Sequence, residues 1–448
     1  MHTSHPVRNL STIFIAALML FSMFFGAGNL IFPPALGAEA GENFIPALIG
    51  FLLTGVALPV LGILAIAISG RDIHDLANRG GVIFGVLFPV LVYLSIGAFY
   101  ALPRTAVVSF STAVVPIFGI DSLPAAALFS ALFFGITFAL CLHTGTIVDA
   151  LGKVLTPLLL LLLAVLVILG ISTFSGDAPA PTEKYGEHPL SIGFISGYLT
   201  MDSLAALAFG IIVVSSLQHK GIPQGRALTR GVSIAGIIAG VLLAIVYAGL
   251  AIIGAHIPQG RSFEDGAQLL SYAAEQTMGS WGASIFGLIV LLACLTTAVG
   301  LLGATSEFFA KLVPAISYRV WLVIFSLIAF ALSTLGLSAV LMVAAPIIGV
   351  LYPAAITLIF LTLIEPFTGK NLYWTFRGAL GVAVAFASLS ALNTLGWGSA
   401  IIAPLISWSP GFSQELGWAV PTLIAAVIGF VLDARSPRAL KKATAYSA

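Results

Sequence analysis

The stretch Phe24–Pro34, FFGAGNLIFPP, lies inside the first long apolar run of the chain. Its glycines at 26 and 28 tolerate an unwound backbone, and the two prolines at its end disturb the following turn. Asn29 adds a polar side chain in the middle of the run. Irregular backbone at membrane depth persists only where it is buried in protein or lines a cavity. The stretch therefore predicts a broken transmembrane helix at a binding site.

A second stretch of this kind is Gly197–Leu204, GYLTMDSL, in the sixth apolar run. It places the carboxyl group of Asp202 deep in a span, between residues with small or hydroxyl-bearing side chains. A charged group at that depth is costly, so we expect Asp202 to face a cavity and to meet a cation.

The composition requires a membrane around these two breaks. The chain has 448 residues, of which 59% are hydrophobic and 8% are charged, whereas a soluble domain carries roughly 25% charged residues. The net charge of +1 gives no reason to expect nucleic acid as a partner. Cys141 and Cys294 both lie in apolar runs and form neither a disulfide framework nor a metal-ligand spacing.

Apolar runs long enough to cross the hydrocarbon core, about 20 residues each, predict an all-α integral membrane protein with about twelve spans. They lie near 12–37, 44–69, 82–107, 123–143, 153–174, 191–217, 230–255, 281–309, 319–336, 339–364, 376–395 and 417–432. The run 82–119 is too long for one upright span and predicts a tilt or a short surface helix. The segment Ser262–Thr277 is polar and helix-prone, which predicts an interfacial or capping helix. No convincing cleavage site follows the first run, so we expect it to be retained.

The basic residues favour the same count and an orientation with both termini in the cytoplasm. With that orientation, only Lys184 and Arg261 fall outside, and Arg104 lies at or within the third span. The cytoplasmic side receives Arg8, Arg71, Arg79, Lys153, Lys220, Arg226, Arg230, Lys311, Arg319, Lys370, Arg377, Arg435, Arg438, Lys441 and Lys442.

The two breaks fall in spans 1 and 6, the first helices of two consecutive five-helix units. Because five is odd, the second unit enters the bilayer upside down, which is the pattern of an inverted-repeat transporter. We therefore expect one transmembrane domain over 1–448, with repeats at 12–174 and 191–364 and two additional helices at 376–432. In span 8, the hydroxyls of Thr296 and Thr297 offer two oxygens to a hard cation such as Na⁺.

The segments GAGNLIFPP (26–34) and LTMDSLAALAFG (199–210), with the twelve-span layout, resemble the bacterial branched-chain amino acid:cation symporter family. The resemblance covers nearly the whole chain. It implies uptake of leucine, isoleucine and valine across the cell (inner) membrane, driven by Na⁺ or by H⁺, with no other cofactor and no obligate protein partner. It also implies the leucine-transporter-type fold, in which broken helices form the binding site.

A more distant resemblance to sodium-coupled amino acid transporters implies roles for individual residues. The amides of Ala27 and Gly28 would face the substrate carboxylate, and Asn29 would contribute near the substrate. Tyr100 would donate to the carboxylate, as a tyrosine does in some relatives. The implied sodium ligands are Ser22 and Phe25, through their carbonyls, with Thr296 and Thr297. The implied substrate-binding residues are Phe25, Gly26, Ala27, Gly28, Asn29, Tyr100, Thr200, Asp202 and Ser203.

Several alternatives remain open at this stage. An acid at the position of Asp202 is not general in the distant relatives, and we favour either pairing with the substrate ammonium or shaping a cation site. A proton-coupled carrier would use Asp202 or Glu307 as its proton site. The threonines of span 8 could simply bond their own helix, and Arg104 fits a structural or outer-gate role better than a substrate ligand. The sequence shows no catalytic cluster of an intramembrane enzyme and no repeated pore ring of a channel.

Overall fold

A computed structural model describes residues 6–69, 72–142, 147–369 and 371–435. Within these ranges the chain is helical and contains no β-strand. The helices form twelve spans, which we number in chain order. They are Pro6–Phe24 with Ala27–Ala40 (span 1), Phe44–Leu52 continued by Leu53–Ala57 and Leu58–Ser69 (span 2), Val82–Phe118 (span 3), Leu123–Leu142 (span 4), Ile147–Thr173 (span 5), Pro189–Thr200 with Asp202–His219 (span 6), Arg226–His256 (span 7), Gly282–Leu312 (span 8), Tyr318–Ser333 (span 9), Leu337–Thr368 (span 10), Tyr373–Thr394 (span 11) and Ala419–Arg435 (span 12).

Length and apolar composition support this count. Among the described residues, eight helices are long and apolar enough to cross a membrane, and the bent pair of span 6 makes nine. The remaining three spans are shorter: the first half of span 1 contains the apolar helix Ser11–Phe24, span 9 has 16 residues and span 12 has 17. The predicted all-helical architecture of about twelve spans is confirmed. Most ends differ by a few residues, whereas span 3 continues to Phe118, well past its predicted end at 107. Residue 143, the predicted end of span 4, lies outside the described residues.

Span 1 is broken where the sequence predicts. Its first half ends at Phe24, Gly26 is extended (φ −129°, ψ −161°), and the second half begins at Ala27. The expectation for the two prolines is wrong, because the helix continues through Pro33 and Pro34 to Ala40. Dense packing against span 7 holds this half in place. A Cβ on Gly254 of span 7 would lie 2.0 Å from the Pro34 carbonyl oxygen, so only glycine permits the approach.

Span 6 is broken at the second predicted stretch. A 3₁₀ turn over Gly197–Thr200 ends at Met201, which adopts a left-handed conformation (φ 64°), and the second half begins at Asp202. The two halves bend by 44°. The first half packs closely on span 2, since a Cβ on Gly193 would lie 1.8 Å from the Ala47 carbonyl oxygen.

Span 3 is a single long helix interrupted by two π-helical turns, Ser95–Phe99 and Phe110–Val114. Gly97 breaks the helical geometry in the first of them (φ −88°, ψ −121°). Each turn inserts residues into the helical repeat and so rotates the side chains that follow. The segment Ala101–Ser109 between them is almost entirely buried and carries Arg104 into the protein interior.

The connection between spans 7 and 8 contains the helix Gly266–Met278. The predicted start at Ser262 is four residues too early, because Ser262 belongs to a separate 3₁₀ turn and Asp265 caps the helix. Its side chain accepts from the amides of Ala267 and Gln268, each at 2.9 Å. One face of the helix is buried, with a Cβ on Gly266 only 2.0 Å from the Ile31 carbonyl oxygen. The helix thus packs against the second half of span 1.

Candidate substrate and cation site

The two broken helices are joined by side chains at their breaks. The Asn29 amide nitrogen donates to Asp202 Oδ2 at 2.8 Å, and the Asn29 amide oxygen accepts from the backbone N–H of Gly26 at 3.0 Å. A third helix enters through Tyr247 of span 7, whose hydroxyl donates to the same Asp202 oxygen at 2.9 Å and also contacts the Asn29 amide nitrogen. All three side chains are buried. The carboxyl group of Asp202 is therefore held by neutral partners.

Arg104 lies beside this network and is 3% exposed. Its Nη1 donates to the Tyr100 hydroxyl at 2.7 Å and to the Leu199 carbonyl oxygen at 2.8 Å. The Tyr100 hydroxyl donates to the same carbonyl at 3.0 Å, so Leu199, at the end of the first half of span 6, accepts two bonds. The Arg104 Nε has no hydrogen-bond partner among the described residues. The guanidinium also packs near the ring of Phe32, 5.5 Å from its centroid.

The guanidinium touches the start of the second half of span 1. A Cβ on Gly28 would lie 2.5 Å from Arg104 Nη2 and 2.8 Å from Cζ, so glycine is required for this contact. Ala27 and Gly28 occupy the first turn of that half-helix, where backbone N–H groups have no acceptor within the helix. The N-terminal end of a helix also carries a partial positive charge. Two sources of positive potential therefore converge here.

A narrow cavity of about 30 Å³ separates these groups. Its polar wall includes Asn29, Arg104 and Asp202, and its remaining wall is mostly apolar. The apolar side chains are those of Met23, Phe24, Ala27, Ile96, Ala101, Met201, Ala205 and Leu301. Binding pockets for small molecules are typically about 300–1,000 Å³. The cavity is therefore too small to hold an amino acid, and admitting one requires the surrounding helices to separate.

The candidate cation ligands are only partly together. The Thr297 hydroxyl lies 3.5 Å from the Phe25 carbonyl oxygen, and a Cβ on Gly26 would meet Thr297 at 3.0 Å. Thr296 instead donates to carbonyls of its own helix, Leu292 at 3.2 Å and Ala293 at 2.8 Å. Ser22 is half-buried on the first half of span 1. The contact between spans 1 and 8 is thus made by Thr297.

The hydroxyls of Thr200 and Ser203, two other candidate substrate ligands, form hydrogen bonds with backbone groups. The Thr200 hydroxyl donates to the Gly197 carbonyl at 2.9 Å and accepts from the Asp202 amide at 3.4 Å, which closes the turn at the break. The Ser203 hydroxyl donates at 3.0 Å to the Thr54 carbonyl of span 2, away from the cavity. Of the two, only Thr200 lines the cavity.

Glu307, the other acid considered for a proton site, lies apart from this cavity. Its side chain is 63% exposed and pairs with Lys311 one helical turn away at 2.7 Å. Asp202 is therefore the carboxyl group that the structure brings to the breaks.

Sequence reasoning missed two residues of the site. Tyr247 lies in a long, largely apolar helix and carries no local signal. Arg104 was placed in a structural or outer-gate role, yet its guanidinium lines the cavity. The signal for Arg104 was present, because a charge within a span points to function by default.

Comparison with known proteins identifies the family. The profile described as "Branched-chain amino acid transport protein" matches residues 9–436. The chain belongs to this family. A branched-chain amino acid permease, BrnQ, from Corynebacterium glutamicum is 49% identical and covers 94% of this chain and 95% of its own. The permease BraB from Bacillus subtilis is 38% identical, with 96% of this chain and 97% of its own covered. These relatives are permeases, so the family is one of transporters rather than enzymes.

Solved structures of other transporters share the fold. Mhp1, a nucleobase-cation-symport-1 family transporter in a closed conformation with bromovinylhydantoin bound, superposes with a TM-score of 0.62 at 16% identity. That match covers 93% of this chain and 91% of Mhp1. A mutant manganese transporter from Eremococcus coleocola gives a TM-score of 0.60 at 14% identity, covering 97% of both chains. The family member described here therefore has the leucine-transporter-type fold.

Proposed function

We propose that the protein imports leucine, isoleucine and valine by symport with Na⁺, through alternating access around the cavity between the breaks of spans 1 and 6. The observation that carries this proposal is that Asp202 and Ala27, in the first turn of the second half of span 1, line one cavity beside an apolar wall. The names of the relatives, which are branched-chain amino acid permeases, support the substrate class.

A zwitterion suits this cavity on electrostatic grounds. In a low-dielectric site both charges of an amino acid need partners. The N-terminal end of the second half of span 1 favours the carboxylate. Asp202, together with nearby carbonyl oxygens, favours the ammonium group.

The apolar wall accounts for branched aliphatic side chains. A pocket of this kind distinguishes one methylene group by only about 1–3 kcal/mol. Leucine, isoleucine and valine are therefore expected to share the site with modest differences in affinity, while polar amino acids are excluded by the cost of burying their side chains.

Coupling to Na⁺ is supported by the contact between spans 1 and 8. The Thr297 hydroxyl and the Phe25 carbonyl present two oxygens 3.5 Å apart, and Na⁺ is a hard cation that prefers oxygen ligands. Ser22 and Thr296 would complete the ligand set once the Thr296 hydroxyl turns away from its own helix. A bound Na⁺ would hold these spans together and favour the outward-facing state before the substrate binds.

A second candidate is coupling to H⁺, and one observation favours it. The buried carboxyl group of Asp202 has only neutral hydrogen-bond partners, Asn29 and Tyr247. Protonation would remove a charge that is costly at membrane depth. Asp202 is therefore the proton site if H⁺ is the coupling ion.

The experiment is uptake of labelled leucine into proteoliposomes under an imposed Na⁺ gradient and, separately, under a proton gradient alone. We expect uptake to require Na⁺ and to fall in Thr297→Ala under the same Na⁺ gradient, because the variant binds Na⁺ more weakly. Thr334→Ala is the matched control, because Thr334 lies at the end of span 9 and its hydroxyl bonds only its own turn. Uptake driven by protons alone would identify H⁺, instead of Na⁺, as the coupling ion. No uptake under either gradient would reject the proposed substrate class.

The orientation and the partners are part of the same proposal. The charge distribution supports a multi-pass protein of the bacterial cell (inner) membrane with both termini cytoplasmic. The repeats would comprise 12–174 and 191–364, with 376–432 as two additional helices. The bilayer and the amino acid are the only partners that this mechanism requires, with Na⁺ as coupling ion and no further cofactor.

A further inference from the structure

We propose that Arg104 binds the carboxylate of the transported amino acid through an ion pair, and that Tyr100 positions Arg104. This inference rests on the proposed function. It adds a positively charged side chain that binds the substrate carboxylate, which the proposed function assigns only to backbone amides. It differs from the expectation that Tyr100 itself donates to the carboxylate. In the structure the Tyr100 hydroxyl already donates to Leu199 and accepts from Arg104.

The first argument is the absence of an anionic partner. A guanidinium is charged at every physiological pH, and a buried charge is costly unless it is paired. Among the described residues the ion pairs are Arg79–Glu365, Lys184–Glu39 and Lys311–Glu307, and none involves Arg104. The hydrogen bonds of Arg104 go only to a neutral hydroxyl and a carbonyl. Arg104 therefore has no direct ion-pair partner among the described residues.

The second argument is the number of free donors. A guanidinium offers five N–H groups in a fixed plane. Within the described part of the chain, the hydrogen bonds of Arg104 start from Nη1, and Nε is buried without a partner. The free donors belong to a side chain that lines the cavity. Adjacent N–H groups of this kind match the two oxygens of a carboxylate.

The third argument is that two positive groups converge on the same space. The contact with Gly28 brings the guanidinium against the first turn of the second half of span 1, whose amides already favour an anion. A carboxylate placed there would satisfy the amides and the guanidinium together. The rings of Tyr100 and Phe32, with centroids 4.6 Å and 5.5 Å from the Arg104 Cζ, hold the guanidinium in this position.

The last argument concerns Asp202 in the same cavity. Asp202 and Arg104 carry opposite charges, yet no ion pair joins them and Asp202 is held by Asn29 and Tyr247. Two opposite charges kept apart in a low-dielectric cavity are complementary to a ligand that carries both charges. Arg104 therefore makes the site selective for amino acids over amines.

The test compares three ligands that share one aliphatic chain: L-leucine, 3-methylbutylamine, which lacks the carboxylate, and 4-methylpentanoate, which lacks the ammonium group. Their dissociation constants are measured from the ligand-dependent rise in melting temperature of the purified protein. The wild type should prefer leucine to the amine by at least about 100-fold, because the amine leaves Arg104 unpaired. Arg104→Gln should reduce this preference to within about tenfold, mainly by weakening leucine.

Asp202→Asn tests the ammonium group in the same way. It should reduce the preference for leucine over 4-methylpentanoate and leave the preference for leucine over 3-methylbutylamine unchanged. Arg319→Gln, at an exposed arginine on span 9, is the matched control and should change neither preference. If Arg104→Gln does not yield folded protein, Gly28→Ala displaces the guanidinium without removing its charge. It should shift the preference over the amine in the same direction.

The outcomes separate the two proposals. A wild type that does not bind leucine overturns the proposed function. A wild type that binds leucine, with Arg104→Gln or Gly28→Ala weakening leucine and the amine equally, assigns Arg104 a structural role and overturns the inference alone. Unchanged preference in a folded Arg104→Gln variant overturns it as well.

Discussion

Asn29 and Asp202 are 173 positions apart in sequence and are joined by a hydrogen bond of 2.8 Å that links the breaks of spans 1 and 6. We expect Asn29→Leu to lower the free energy of unfolding by about 1–3 kcal/mol, because the buried carboxyl loses a donor. Leucine uptake should fall by about 100-fold, measured as initial rates in proteoliposomes. Asn43→Ala is the control, since Asn43 bonds carbonyls in a loop segment. Equal effects of the two variants would contradict a special role for Asn29.

Gly28→Ala should impair transport through a steric effect on Arg104. The added methyl group would lie 2.5 Å from Nη2, so the guanidinium must move. Displacing the guanidinium weakens its interaction with the carboxylate, and a loss of about 1–3 kcal/mol there corresponds to a roughly 5- to 150-fold loss in affinity for leucine.

The matched control for this variant is Gly300→Ala in span 8, where the added methyl group meets nothing within 4 Å. That variant should retain the affinity of the wild type, measured by the same binding assay. A loss in Gly300→Ala as large as that in Gly28→Ala would show that alanine is harmful in these helices for a general reason.

The adjacent threonines of span 8 should differ in their effect on Na⁺ dependence. Thr297 faces span 1 at 3.5 Å from the Phe25 carbonyl, whereas the Thr296 hydroxyl bonds its own helix. We expect Thr297→Ala to raise the Na⁺ concentration for half-maximal uptake by at least about tenfold, and Thr296→Ala to raise it less, because only Thr297 is already oriented toward the other ligands. Larger sensitivity at Thr296 would require a rearranged site.

Arg79 and Glu365 should contribute measurably to stability. Arg79 Nη1 donates to Glu365 Oε2 at 2.7 Å, Nη2 pairs with the other oxygen, and the guanidinium lies over the Phe376 ring at 4.3 Å. A double-mutant cycle with alanine at both positions should give a coupling of about 1 kcal/mol, since the two side chains are 17% and 18% exposed. The exposed Lys311–Glu307 pair serves as the comparison and should give less. Equal couplings would mean that burial of the first pair adds nothing.

The helix cap at Asp265 should make stability depend on pH. Burial raises the pKa of this carboxyl, against the lowering effect of the bonds from the amides of Gln268 and Ala267. The folded state therefore holds the proton more tightly than the unfolded state does. Its contribution to stability is greatest at acidic pH and declines as the pH rises through the raised pKa.

Asp265→Asn keeps an oxygen for the cap and removes the ionisation, so melting temperatures measured between pH 4 and pH 8 should vary less than in the wild type. Asp265→Ala removes the cap and should cost about 1 kcal/mol relative to Asp265→Asn at every pH. A pH profile that is the same in wild type and Asp265→Asn would contradict this assignment.

The spans and the two breaks were predictable because the membrane imposes simple rules on composition. Twenty apolar residues in a row indicate a span, and a glycine pair beside Asn29, or Asp202 between small residues, indicates a break. These patterns are local, so they can be recognised in the sequence without knowing how the helices pack. The ends of the helices were less accurate because they depend on caps such as that of Asp265.

The partners across the site were not predictable in the same way. Tyr247 joins Asp202 because span 7 packs closely on the second half of span 1, and nothing near position 247 in the sequence indicates that contact. The direction of Arg104 depends on the π-helical turn at Ser95–Phe99, which changes the angular position of every later residue in span 3. A uniform helical repeat therefore does not show on which face of span 3 Arg104 lies.

The left-handed backbone of Met201 has a consequence for altering substrate range. Glycine would adopt that conformation at lower cost, yet the chain carries a long thioether side chain there, and this side chain lines the cavity. Replacing Met201 by glycine would relieve the local conformational penalty and enlarge the apolar wall in a single step. Position 201 is therefore a good starting point for a variant that accepts bulkier, non-natural aliphatic amino acids. Glycine at this position would both enlarge the cavity and suit the left-handed backbone.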